Sequence, residues 1–221
     1  MTEISTEQAA SLDTKTHEFL EGFGQVWSGI ASLSIPEKRA ELHRLFTIPL
    51  SDMEPIASRQ EVAIDGPNGK VNLRIFTPEG VGPFPVMIYL HHGGWVLGSL
   101  DECEPTCRRL ANTTNSVIVA VDYSLAPENK YPAPLEDVFA ATKWAIAHAS
   151  DLKGDPDKVG IGGESAGGNL AAAVTLLARD RGMKGIAFQI LFYPILTCDL
   201  DKKAYENNLD KHLLTFENME W

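Results

Sequence analysis

Positive charge, cysteine and long apolar stretches are all scarce in this sequence. Its 19 Lys and Arg are outnumbered by 30 Asp and Glu, for a formal net charge of −11, and no block of basic residues occurs. Nucleic acid and anionic membrane surfaces are poor partners for such a chain on electrostatic grounds. No apolar run approaches the roughly 20 residues of a membrane span. The polar, acidic start has neither the basic nor the apolar stretch of a signal peptide. Cys103, Cys107 and Cys198 are an odd set with no Cys-x-x-Cys or nearby histidine spacing, which argues against a zinc site or a disulfide framework. Buried thiols in a reducing compartment are the plain reading, and a cytoplasmic location is expected. No repeat or low-complexity tract is present. What remains is a chain of 221 residues, 44% hydrophobic, which suits one globular domain with a sizeable core and a small appendage.

Residues up to about 50 read as helical. Leu12, Phe19 and Phe23 share one face at helical spacing, and Trp27 follows nearby. A second helix is expected at Ser34-Ile-Pro-Glu37, where Ser34 can cap, Pro36 can sit in the first turn and Glu37 can reach back. From residue 58 the period changes. Arg59–Ile64 and Val71–Thr77 read as a hairpin around Gly66-Pro-Asn-Gly69. After them, apolar strand runs at Phe84–Leu90, Val117–Val121, Val159–Gly163 and Ile186–Tyr193 alternate with helices near Asp101–Asn112, Pro134–Ala149 and Ser165–Asp180. Such alternation predicts an α/β fold, a mostly parallel sheet with helices on both faces.

After Pro194 the sequence turns polar and acidic, and no further strand candidate follows. A fully apolar strand would then lie at a sheet edge with its backbone groups open, which natural sheets avoid. Either residues 194–221 cover that edge, or the sheet continues in a part not present here, and the second is the expectation. The open edge also leaves room for a homo-oligomer.

Gly163-Glu-Ser165-Ala-Gly167 follows a strand and opens a helix, the pattern of a nucleophile elbow. Chance alone would give about 0.08 such matches in a chain of this glycine and serine content. The glycines leave room for a strained turn that lifts the Ser165 hydroxyl above the sheet. The helix N-terminus behind it offers unpaired N–H groups to a developing oxyanion, with the Ala166 N–H placed to donate. Two nucleotide readings of the same stretch fail. A dinucleotide fingerprint starting at Gly160 needs Gly or Ala at 165. A phosphate loop starting at Gly163 needs Lys and Ser or Thr after Gly168, where Asn169 and Leu170 stand.

Leu90-His91-His92-Gly93-Gly94-Trp95 directly follows the Phe84–Leu90 strand. Paired glycines there let backbone N–H groups approach a substrate oxygen, so Gly93 and Gly94 are the remaining oxyanion candidates. Each donor can be worth about 3–4 kcal/mol to the transition state.

These segments together resemble the hormone-sensitive-lipase branch of the α/β-hydrolase esterases, in which a His-Gly-Gly-Gly loop precedes the elbow. The stretch from Phe84 to Gly98 is similar to that loop and its strand. Asp122-Tyr-Ser-Leu-Ala-Pro-Glu128, followed by Tyr131-Pro-Ala-Pro134, resembles the second signature. Gly163-Glu-Ser-Ala-Gly-Gly-Asn-Leu-Ala171 resembles the third, and Leu191-Phe-Tyr-Pro194 the strand after it. The resemblance implies a helical cap over residues 1–54 and an α/β-hydrolase core over 55–221 that is incomplete at its C-terminus. Three departures stand out. His92 occupies the place of the first glycine. Ser124 replaces an arginine, so a charge contact is expected to be missing there. The acid and histidine that the family places at the ends of later strands have no counterpart. His212, with Asp199, Asp201 and Asp210 nearby, lies in a post-strand segment where the family does not put its triad. Among the other histidines, His17 and His43 fall in the cap and His148 at a helix end.

The expected function is a serine hydrolase of small carboxylic esters, working through an acyl-enzyme on Ser165. Gly93, Gly94 and Ala166 would hold the oxyanion, and neither an organic cofactor nor a metal is implied. Amide or deacetylase chemistry is the nearest rival. Phe19, Phe23, Trp27 and Trp95 could wall an apolar pocket for short or medium acyl groups, although each also suits ordinary core. Glu136 and Asp137 read as favourable charges at a helix N-terminus. From other classes, a receptor-like protein that kept the pocket and lost turnover, as in the related plant gibberellin receptors, and an inactive fragment remain open.

Overall fold

The computed structural model describes residues 14–197 and 219–220. Two compact units are present, one of residues 39–196 and one of residues 1–38 with 197–221. Two helices open the described chain, α1 (Thr14–Ile30) and α2 (Ile35–Phe46). The expected start of α2 is realised. The Glu37 carboxylate accepts from the Ser34 backbone N–H at 2.9 Å and from its hydroxyl at 2.6 Å. These contacts hold the Glu37 carboxyl below its ordinary range.

Six strands follow: β1 (Ser58–Gly66), β2 (Gly69–Thr77), β3 (Phe84–Leu90), β4 (Val117–Asp122), β5 (Gly154–Glu164) and β6 (Phe188–Phe192). They form one sheet in the order β1-β2-β4-β3-β5-β6. The hairpin β1–β2 is antiparallel and joins β4 antiparallel, whereas β4, β3, β5 and β6 run parallel. The helices α3 (Leu100–Thr114), α4 (Ala133–His148) and α5 (Ala166–Asp180) make the crossovers.

Strand alternation divides the core into two layers. Met87 and Tyr89 of β3 with Ile118 and Ala120 of β4 face Leu100, Cys103, Cys107 and Ala111 of α3. Val86, Ile88 and Leu90 with Val117, Val119 and Val121 face the other way, toward Val138, Ala141 and Ala145 of α4 and Leu170, Ala171 and Val174 of α5. Burial of each such Val, Leu or Ile contributes about 1.5–3 kcal/mol. Cys103 and Cys107 are the buried thiols expected, and Cys198 lies outside the described residues.

Three expectations need correction. The Val159–Gly163 strand begins five residues earlier, because Gly154 pairs with Phe84 across a register shift in β3–β5. The Ile186–Tyr193 run gives only the shorter β6, which lies at the sheet edge, as expected, among the described residues. Ile190 and Phe192 are exposed, since among the described residues β6 has β5 on one side and no strand on the other. Asp137 lies beyond the first turn of α4, where Glu136 is the acidic residue. It is buried on α4 and accepts the Ser124 backbone N–H at 3.0 Å.

Candidate active site

Within the parallel part of the sheet, the chain leaves β3 for β4 on one side and then crosses to β5 on the other. The carboxyl ends of β3 and β5 therefore flank the point where strand order reverses, the place where α/β sheets bind ligands. Leu90 and Gly163 are register partners, so the loop after β3 and the turn after β5 start side by side.

Ser165 occupies that second turn with φ 53° and ψ −117°, a conformation that costs a non-glycine residue about 1–3 kcal/mol. The strain is fixed from both sides. Ser165 N–H donates to the Phe192 carbonyl at 3.0 Å, and the Ser165 carbonyl accepts from Asn169 N–H at 3.0 Å as α5 begins. The Asn169 side chain donates to the Ile195 carbonyl at 2.7 Å. A Cβ at Gly167 would collide with the carbonyl oxygens of Leu90 and His91, so the elbow can press against the first loop only because that residue is glycine. Ser165 is half-buried and Ala166 fully buried at the head of α5.

Gly93 and Gly94 have φ 124° and 58°, and Trp95 follows with φ 62°. Gly93 O accepts from Val96 and Leu97 N–H at 3.1 and 2.8 Å, which folds the loop into a compact turn. A side chain at Gly93 would strike the Leu97 carbonyl, whereas Gly94 faces open space. Trp95 is half-buried and packs on the core, and its carbonyl accepts from Ala126 N–H at 2.9 Å. Trp27 is half-buried on α1, and the side chains of Phe19 and Phe23 lie outside the described residues.

The two adjacent histidines have opposite environments. His91 is buried and stacks on Tyr123, with ring centroids 4.3 Å apart. Burial pushes its pKa down to about 4, so the ring is neutral near pH 7. Its Nδ1 lies 2.6 Å from the His92 carbonyl, which can only accept, so the proton sits on Nδ1. Tyr123 donates to the His91 carbonyl at 2.8 Å. His92 instead keeps 42% of its side chain exposed and places Nδ1 3.1 Å from Glu164 Oε1. That hydrogen bond raises the His92 pKa above its ordinary value against the opposing effect of burial.

Glu164 was not anticipated as a functional group. Its carboxylate also accepts from the hydroxyls of Tyr89 on β3 and Tyr193 after β6. Burial alone would raise its pKa, but the His92, Tyr193 and Tyr89 hydrogen bonds outweigh burial and bring it to about 2. A tyrosine inside an otherwise apolar strand run was the available signal, because a buried phenol must find a partner.

Arg39 was also missed. It donates to the Val96 carbonyl at 2.8 Å, to the Ala126 carbonyl at 2.8 Å, and to both oxygens of Glu128 at 2.8 and 2.9 Å. The second signature thus has a charge contact despite Ser124, with the arginine supplied from α2. The Arg39 contact brings the Glu128 carboxyl down to about 2. His148 ends α4 with Nδ1 2.8 Å from the Trp144 carbonyl. His212, Asp199, Asp201 and Asp210 lie outside the described residues. Among the described residues, no group of three or more His, Cys, Asp or Glu side chains is placed to hold a metal ion. No described helix is long and apolar enough to cross a membrane.

Known proteins match this arrangement. Residues 87–221 match the α/β hydrolase fold family. Esterase LipI of Mycobacterium tuberculosis (strain ATCC 25618 / H37Rv) is 38% identical over 174 residues, covering 77% of this chain and 54% of that protein. Carboxylesterase NlhH of Mycobacterium tuberculosis (strain CDC 1551 / Oshkosh) is 39% identical over 177 residues, covering 80% of this chain and 55% of its own length. The structure of a hyperthermophilic esterase from the archaeon Pyrobaculum calidifontis superposes with a TM-score of 0.85 at 32% identity, over 95% of this chain and 68% of that one. The chain spans about half the length of the curated relatives it matches. From its sheet order, its strained serine elbow and these matches, the chain belongs to the α/β hydrolase fold family, in the hormone-sensitive-lipase-type esterase branch.

Proposed function

We propose that this polypeptide carries the nucleophile and oxyanion hole of a serine hydrolase acting on small carboxylic esters. The observation that carries the reading is Ser165 held at φ 53° between β5 and α5, with the Gly93–Gly94 turn rising from the neighbouring strand end. Ser165 Oγ attacks the ester carbonyl carbon, and the charge that develops on the carbonyl oxygen is met by N–H groups of Gly93, Gly94 and Ala166. Collapse breaks the bond to the alcohol, which leaves with a proton, and water then releases the acid from the acyl-serine. The reaction also requires a base for the Ser165 proton, and among the described residues none is hydrogen-bonded to that hydroxyl.

The names of the relatives support esters as the substrate class. Short or medium acyl groups, the cap role of residues 1–54 and the pocket residues Phe19, Phe23, Trp27 and Trp95 rest on family resemblance and belong to the same proposal. A cytoplasmic setting does too, supported by the free thiols Cys103 and Cys107. The test is turnover of p-nitrophenyl acetate, butyrate and octanoate by the wild-type chain and Ser165→Ala. Loss of a serine nucleophile from such machinery costs on the order of 10⁶ in rate. Saturable turnover abolished in the variant supports the reading. Tight binding of an ester or acid with no turnover moves it to the receptor-like class.

A further inference from the structure

His92 stands where the family signature has a glycine, a residue with no side chain to reach the elbow. In this chain its imidazole crosses from the loop after β3 to Glu164, the residue immediately before Ser165. We propose that His92 and Glu164 form a charged clasp that positions the Gly93–Gly94 loop against the nucleophile elbow and offsets the negative charge beside Ser165. The inference rests on the reading of Gly93 and Gly94 as oxyanion donors.

Two physical arguments meet here. The first is geometric. Glu164 gathers Tyr89 from β3, His92 from the loop and Tyr193 from the turn after β6, so one carboxylate ties three segments at the carboxyl end of the sheet. Only the His92 contact reaches the glycine turn itself. It stands beside the His91 Nδ1–His92 carbonyl bond, which fixes the backbone of the same loop. The second argument is electrostatic. An unpaired carboxylate next to the nucleophile would oppose the negative charge that must build on the substrate oxygen. Glu164 stays ionised over the working range, so its charge is offset when His92 is protonated and exposed when His92 is neutral.

The surroundings of His92 define what its titration will feel. Glu164 faces it from the elbow, and Glu102 faces it from α3, where the Ser99 hydroxyl caps the helix and holds Glu102. Both carboxylates favour the imidazolium. His91 on the same loop opposes it, but burial keeps His91 neutral. His43 of α2 acts on Glu102, and Phe46 sets its ring edge-on to His92 at 6.4 Å. Glu164 is the only one of these groups hydrogen-bonded to the His92 ring.

The experiment follows the histidine ring signals of the isotope-labelled chain by NMR between pH 5 and 9, for wild type and Glu164→Gln. His92→Gly assigns the resonance by its loss. The wild-type His92 midpoint is expected above the ordinary histidine value and moves to lower pH in Glu164→Gln. Amide exchange of Gly93 and Gly94, read at one fixed acidic pH, is expected to be roughly tenfold faster in both variants, the effect of one lost charge-assisted hydrogen bond. A midpoint indifferent to Glu164→Gln, or glycine exchange unchanged in both variants, overturns the clasp. Neither readout needs turnover. A chain with the expected titration and exchange but an inert Ser165 would refute the hydrolase reading while the clasp stands.

Discussion

Two carboxylates in this molecule each receive three side-chain donors, yet they serve different ends. Glu104 on α3 is met by Arg59, Arg74 and Arg108, at 3.1, 2.8 and 2.7 Å, and is buried with Arg74 and Arg108. Glu164 at the elbow is met by Tyr89, Tyr193 and His92. Arginine keeps its charge at any pH a protein survives, so the first cluster is a fixed tie between the β1–β2 hairpin and α3. Histidine changes charge near neutrality, so the second cluster can be adjusted by its environment. The donor set, more than the carboxylate, separates scaffold from site.

The comparison is broken most severely at Glu104. Glu104→Ala leaves buried guanidinium groups short of their acceptor and should cost about 3–5 kcal/mol in urea unfolding. An effect near zero would mean that the arginines find other partners, and the contrast would collapse. At the elbow the stability cost should be smaller and the functional cost larger. With ester turnover measurable, His92→Gly should lower kcat by roughly tenfold with KM nearly unchanged, because the lost contact matters most as charge develops. A rise in KM alone would place His92 in substrate binding instead.

The pH dependence of stability sharpens the same contrast. The Glu164 pKa is depressed to about 2 in the fold, so its contribution is present above the unfolded value near ~4.3 and is lost as pH falls toward 2. Glu164→Gln should flatten that part of the acid limb in thermal unfolding. His92 has a raised pKa, so its contribution is full below the unfolded value near ~6.5 and is lost as pH rises through the folded one. His92→Gly should flatten the curve there. Unchanged curves in both variants would mean that the pair contributes nothing to folding. The smallest effect is expected for Tyr193→Phe, about 1 kcal/mol or less, since the residue is 70% exposed and Glu164 keeps two other donors.

Local features of the sequence were enough to read the β3 strand to the residue and α5 to within one. A nearly unbroken apolar run between Pro83 and His-His-Gly-Gly has few alternatives, and Gly-x-Ser-x-Gly fixes where a strand turns into a helix. The Ser34–Glu37 box was legible for the same reason, being made within three residues. The Glu164 hub was not. Tyr89 and Glu164 lie 75 residues apart and Tyr193 a further 29 on, and only the sheet order brings them together. Arg39 escapes notice because Glu128 lies 89 residues away and its other partners, the Val96 and Ala126 carbonyls, are backbone groups, as is the Ser124 N–H that meets Asp137. Every residue type carries those groups, so the sequence cannot mark them. The edge position of β6 is legible from the lack of a following strand candidate, but its length is not, because hydropathy reports what a strand can bury and not how far it pairs with its neighbour.

The most direct test of the account is the intact mass of the folded chain after exposure to a fluorophosphonate, with Ser165→Ala alongside. The account predicts one adduct on the wild-type chain and none on the variant, since only an activated Ser165 attacks phosphorus at a useful rate. No adduct on a wild-type chain shown to be folded, or an adduct that survives in Ser165→Ala, would contradict it.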